Sequence, residues 1–224
     1  EFIMGQLLPA CRELGSRWPG QDLLQKYQGS PLDGIKPNSF GDMLWVNLIA
    51  FVSNNRTAVE SFVFLAENRG STQSYYYRGD SLEALAEIWP DETTRELLAQ
   101  RAVKDDHEYP RRAALEALAK TWPDETTREL LSQRAVQDED ASPRRTALQA
   151  LAQTWPDETT RELLSQRAVQ DEDSDPRSVA LQALTQTWPD ETTCELLIQR
   201  AIQDDHESPR RAALQALAQT WPDE

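Results

Sequence analysis

Residues 122–154 read WPDETTRELLSQRAVQDEDASPRRTALQALAQT, and the flanking sequence repeats them. Trp89, Trp122, Trp155, Trp188 and Trp221 each open a Trp-Pro-Asp-Glu, always 33 residues apart. Full units therefore run 89–121, 122–154, 155–187 and 188–220, with a stub at 221–224. A fixed period of this length marks a stack of supersecondary units, each unable to bury its apolar face alone.

Each unit reads as two helices. In the first, Thr93-x-x-Glu96 has the form of a capping box, in which two free amides are satisfied reciprocally at a helix start. Leu97, Leu98, Ala102 and Val103 follow at helical spacing. The polar stretch Lys104 to Tyr109 reads as a turn. Pro110 suits the first position of the next helix, where a missing N–H costs nothing. Ser142, Asp175 and Ser208 hold the preceding N-cap position in the later units. Ala114, Leu115, Ala117 and Leu118 form the second stripe. Trp122-Pro123 ends it, because proline disfavours helical geometry at the residue before it. Each Trp is expected to roof a joint between units, burying on the order of 200 Å2. The expectation is an all-α, right-handed solenoid of helix-turn-helix repeats.

The first 88 residues differ. They hold all 8 Gly, all 5 Phe and both Met, whereas no Gly follows Gly79. Shifted by one period, Arg78, Leu82 and Leu85 fall on Arg111, Leu115 and Leu118. Residues 57–88 thus read as a degenerate unit, and Trp18-Pro19 with 40–53 as an earlier one. Region 1–88 is expected to cap the array 89–224, with a small separate helical domain as the alternative. The opening Glu1-Phe2-Ile3-Met4 reads as an internal piece or as vector-encoded residues, and the closing Trp-Pro-Asp-Glu as the start of another unit.

Charge narrows the function. The chain carries 38 acidic and 23 basic residues, a net of −15. Such a chain repels nucleic acid and anionic membranes. No apolar run is long enough to span a bilayer. Cys11 and Cys194 make no disulfide framework, which fits a reducing cytoplasm. No Gly-rich phosphate loop is present. His107-Glu108 and His206-Glu207 sit in turns three units apart, roughly 30 Å in a stack of helix layers. Metal ligands converge to about 2 Å of the ion, so no metal or cofactor is expected. The turn acids, such as Asp138-Glu139-Asp140, line one edge, a surface for a partner with a basic face. Asp171-x-Asp173-x-Asp175 lacks the Gly and distal Glu of a calcium loop.

The units resemble HEAT repeats in their short bacterial form. The motif is an Asp in the turn with an Arg six residues later, at Asp105/Arg111, Asp138/Arg144, Asp171/Arg177 and Asp204/Arg210. The resemblance implies that these residues form a structural ladder between units. It also implies that the exposed side of the second helices, usually concave in such solenoids, binds extended partners. There Arg112, Arg145, Ser178 and Arg211 form one row. Glu116, Gln149, Gln182 and Gln215 form a second, and Lys120, Gln153, Gln186 and Gln219 a third. Units differ along these rows while their cores barely differ. The repeated TWPDETTRELL text looks like the C-terminal arrays of cyanobacterial NACHT-type signalling NTPases. That likeness implies a non-enzymatic, protein-binding, ligand-sensing segment of a larger protein. A phycobilisome-lyase-like protein acting on phycobiliproteins and a self-assembling module, stacking end to end, are the alternatives.

Overall fold

The computed structural model describes residues 74–221. Of the expected unit 57–88, residues 57–73 lie outside these residues, as does the expected earlier unit around 18–53. The chain divides after Pro90 into two units. Of the first, helix α1 (Ser74–Ile88) is described. Its Arg78, Ser81, Leu82, Leu85 and Ala86 are buried.

The second unit holds four helix pairs: α2 (Glu92–Lys104) with α3 (Glu108–Thr121), α4 (Glu125–Gln137) with α5 (Ala141–Thr154), α6 (Glu158–Gln170) with α7 (Ser174–Thr187), and α8 (Glu191–Gln203) with α9 (Glu207–Thr220). No strand occurs among the described residues. Each first helix packs on its own second helix, and only lightly on the second helix of the preceding repeat. The second helices α3, α5, α7 and α9 pack directly on one another in series. Alanine permits this approach: Ala113, Ala114 and Ala117 are buried beside Leu115 and Leu118, and the same pattern recurs at Ala147, Leu148, Ala150 and Leu151. The result is an all-α solenoid.

The first helices begin earlier than the capping-box reading places them. Asp91 is the N-cap, and its carboxylate accepts from the Thr94 amide at 3.0 Å. Asp124, Asp157 and Asp190 do the same for Thr127, Thr160 and Thr193. A full negative charge at the positive end of the helix dipole outcompetes a threonine hydroxyl. Thr93 and Glu96 are left exposed.

The second helices also start two residues early. Their N-caps are His107, Asp140, Asp173 and His206, not the residues that precede proline. Pro110, Pro143, Pro176 and Pro209 occupy the third helical position. The first turn of a helix has no internal acceptor for its amides, so proline is tolerated there too.

Two packing expectations need correction. Val103, Val136 and Val169 are 42%, 44% and 41% exposed instead of buried. A first helix meets neighbours along a narrow arc, so only Thr94, Leu98 and Ala102, four residues apart, are buried on α2. The tryptophans roof their joints only in part. Trp122, Trp155 and Trp188 are half-buried helix C-caps, and each amide donates to the carbonyl four residues back.

Candidate partner-binding face

Beneath the face lies the network that fixes the spacing of its helices. Arg111 donates through Nε and Nη2 to Asp138 of the next repeat, at 3.2 and 2.9 Å. Its Nη1 donates to the Asp105 carbonyl of its own repeat at 2.8 Å. Arg144 bonds in the same way to Asp171 and the Asp138 carbonyl, and Arg177 to Asp204 and the Asp171 carbonyl. Arg210 donates to the Asp204 carbonyl at 2.7 Å. Each carboxylate also accepts a backbone amide two residues on, which closes its turn. Burial works against ionisation of Asp204. The Arg177 hydrogen bond and the His206 amide outweigh it and hold this carboxyl below the usual aspartate range. Burial likewise works against the charge on Arg111 and Arg144, yet the bonds to Asp138 and Asp171 raise both guanidinium pKa values.

Two further rows escape a reading of the sequence. Arg95, Arg128 and Arg161 on the first helices reach the N-cap Asp124, Asp157 and Asp190 of the next repeat at 2.7 to 2.8 Å. Cys194 stands at the fourth position of this row. Arg134 and Arg167 lie 3.5 and 3.8 Å from Asp138 and Asp171, so those aspartates sit between two guanidiniums. The signal was present: Arg128, Asp124 and Arg134 recur in nearly every unit, but their pairing needs the register of neighbouring helices.

The ladder also draws on the acidic edge. Asp140 and Glu139 lie within ion-pair distance of Arg111, as do Asp173 and Glu172 of Arg144. Asp140 and Asp173 consequently make no capping bond to their own helices. His107 and His206 do cap, accepting through Nδ1 from Tyr109 and Ser208. Among the described residues no group of three His, Cys, Asp or Glu is placed to hold a metal ion, and no helix is long and apolar enough to cross a membrane.

The face itself lies on the second helices. Glu116, Gln149, Gln182 and Gln215 are exposed, as are Lys120, Gln153, Gln186 and Gln219. Arg112, Arg145 and Ser178 are half-buried, and Arg211 is exposed. Six of these residues come together. Arg112, Glu116 and Lys120 of α3, with Arg145, Gln149 and Gln153 of α5, line a groove of about 430 Å3. Thr146 and Thr154 complete its wall. Arg211 and Gln215 instead line a hollow on α9 beside Leu214, which is 57% exposed. Ser178, Gln182, Gln186 and Gln219 line neither. The Ser178 hydroxyl turns back to the Ser174 carbonyl at 2.8 Å.

Compared with known families, the chain matches HEAT repeats over residues 67–152 and again over 128–218. No curated protein and no solved structure matches it. HEAT repeats generally serve as non-enzymatic scaffolds for protein interaction. The two matches overlap and run through most of the sequence, including all four helix pairs, so the chain belongs to the HEAT-repeat family.

Proposed function

We propose that residues 91–221 form a binding scaffold that lays an extended segment of another protein across α3, α5, α7 and α9. The observation that carries this is the groove between α3 and α5, walled by side chains that change from unit to unit. Position 112 is Arg, Arg, Ser and Arg along the units. Position 116 is Glu and then Gln, and 120 is Lys and then Gln. The leucines beneath do not change, which is the pattern of a uniform frame presenting a varied surface. The repeated TWPDETTRELL text supports a sensor role within a larger NACHT-type signalling protein. An upstream GxxxxGK[ST] in the full-length gene tests that role. The acidic turn edge is a second surface, suited to a basic partner, though its carboxylates are largely engaged by ladder arginines. The burial pattern of α1 matches a second helix, which supports reading residues 74–88 as the end of a divergent repeat.

Photo-crosslinking tests the face. A benzophenone side chain at Gln149 or Gln182 should capture protein from the native host. One at Glu162, exposed on the first helix α6, should not. Equal capture from both positions, or capture from Glu162 alone, would move the interface off the second helices.

A further inference from the structure

The arginines of the array differ in what they meet. Arg95, Arg111, Arg128, Arg144, Arg161 and Arg177 each hold a carboxylate of the next repeat. Arg112 and Arg145 do not. Arg112 lies over the Tyr109 ring, 4.8 Å from its centroid. Neither guanidinium has a carboxylate within ion-pair distance among the described residues, and both open into the groove with Lys120. Against these three cations the groove wall sets one acid, Glu116. A chain of net −15 therefore carries a locally cationic trough between two of its repeats. Cations left unpaired in a concave site focus the field on a carboxylate-bearing ligand.

Resting on the binding role proposed above, we propose that this groove takes an extended acidic peptide with a carboxylate at every third residue. The spacing comes from the frame. Packed helices stand roughly 8–10 Å apart, and a polyproline II strand advances about 9 Å in three residues, returning the same side chain to the same face. Successive carboxylates then meet Arg112 and Arg145. Gln149 and Gln153 supply amide donors and acceptors for the intervening backbone. Glu116 repels a denser run of charge. That repulsion, with the anionic field of the whole chain, disfavours a polyphosphate backbone in the same trough.

The test uses the full chain and a fluorescein-labelled twelve-residue peptide built from Asp-Pro-Gln triplets, read by anisotropy at low ionic strength. Comparison probes are the Lys-Pro-Gln peptide, a peptide of equal charge with its aspartates contiguous, and a single-stranded oligonucleotide. The Asp-Pro-Gln peptide should bind best, and added salt should weaken it. Arg112→Ala and Arg145→Ala should each weaken binding roughly tenfold. Glu116→Gln should tighten the contiguous peptide more than the spaced one, and Gln133→Ala, exposed on the first helix α4, should change nothing. Neither arginine bonds to the ladder, so unchanged thermal melting will certify both variants as folded. Several outcomes overturn the proposal: unchanged affinity in both arginine variants, equal binding of the lysine peptide, or tighter binding of the oligonucleotide. A dimer that Arg145→Ala dissociates would assign the groove to a second copy, and also overturns it. A lysine peptide that crosslinks at Gln149 would remove the acidic specificity yet leave the second-helix face as the interface.

Discussion

Arg144→Ala cuts the ladder at its middle joint. The guanidinium donates to Asp171 through Nε and Nη2, to Asp173, and to the Asp138 carbonyl. Its side chain is 2% exposed and that of Asp171 is 1% exposed, so water has little access to either charge once the other is gone. The intact pair contributes modestly, because desolvation offsets most of its Coulomb attraction. Removing one partner is different: a carboxylate stays buried with its charge uncompensated, at about 3–5 kcal/mol. Two features soften that figure here. Arg167 lies 3.8 Å from Asp171 on the other side, and the Asp173 amide still donates to it. The expected loss is therefore near the lower end, about 3 kcal/mol. Since repeats contact only their neighbours, the loss sits at one joint, and the array should unfold as two blocks with a broadened transition.

Urea denaturation followed by circular dichroism and tryptophan emission measures it. Arg144→Met keeps the aliphatic stem, and combined with Asp171→Asn it removes both charges. The double variant should recover most of what Arg144→Met loses, because the cost lies in the orphaned charge and not in the missing contact. A loss below about 0.5 kcal/mol for Arg144→Ala would show the ladder to be solvated and dispensable. A double variant no better than Arg144→Met would refute the buried-charge argument itself.

Leu148→Ala should cost about 2–5 kcal/mol, whereas Val136→Ser, on the exposed side of α4, should stay within about 0.5 kcal/mol. Chemical denaturation of the pair checks both. At the N-cap of α6, Asp157→Ala should lower the melting temperature more than Arg128→Ala does, since the cap bond outweighs the surface ion pair, and Asp157→Asn, which keeps the acceptor but not the charge, should fall between wild type and Asp157→Ala. On acidification, burial opposes ionisation of Asp204, but its bonds from Arg177 and the His206 amide hold its folded pKa below the ordinary value. Asp124, Asp157 and Asp190 are also held low, chiefly by the amides they cap. A depressed carboxyl pKa stabilises the fold above the unfolded value, near 3.9, and that stability is lost as pH falls through the folded value. Melting temperatures should thus be flat from about pH 5 to 7 and fall below about pH 4. Relief of self-repulsion in so acidic a chain works the other way, so a rise in stability below pH 4 would show that net charge dominates over the specific bonds.

The period and the buried leucines were legible because both follow from residue type at fixed spacing. Leu115, Leu118, Leu148, Leu151, Leu181 and Leu184 are apolar in any register and reach the core of the first three units, whereas Leu214 on the last helix is exposed. Helix starts were less legible, because they are decided by competition among neighbouring acceptors. Asp91, Thr93 and Thr94 all have side chains able to cap a helix, and the full charge of the carboxylate at the positive end of the helix dipole decides for Asp91. The exposed valines fail for a related reason. Val136 carries the apolar signature of a core position, but exposure depends on how many helices surround α4, which the residue itself does not encode.

The charge on the face was the least legible feature, and the Arg-Arg dipeptides show why. Arg111 and Arg112, like Arg144 and Arg145, are adjacent and chemically identical. Neighbouring helical residues point about 100° apart, so one guanidinium enters the buried ladder and the other opens into the groove. Whether an arginine contributes positive potential to a surface depends on which carboxylates reach it. For Arg144 these are Asp171 and Asp173, 27 and 29 residues away and in the following repeat. Counting charges unit by unit gives every repeat a negative sum, and from that sum the natural partner is basic. Pairing the charges first removes the ladder acids together with their arginines. What remains between α3 and α5 is Arg112, Lys120 and Arg145 against Glu116, so the partner that suits this trough has the opposite sign to the one the net charge implies.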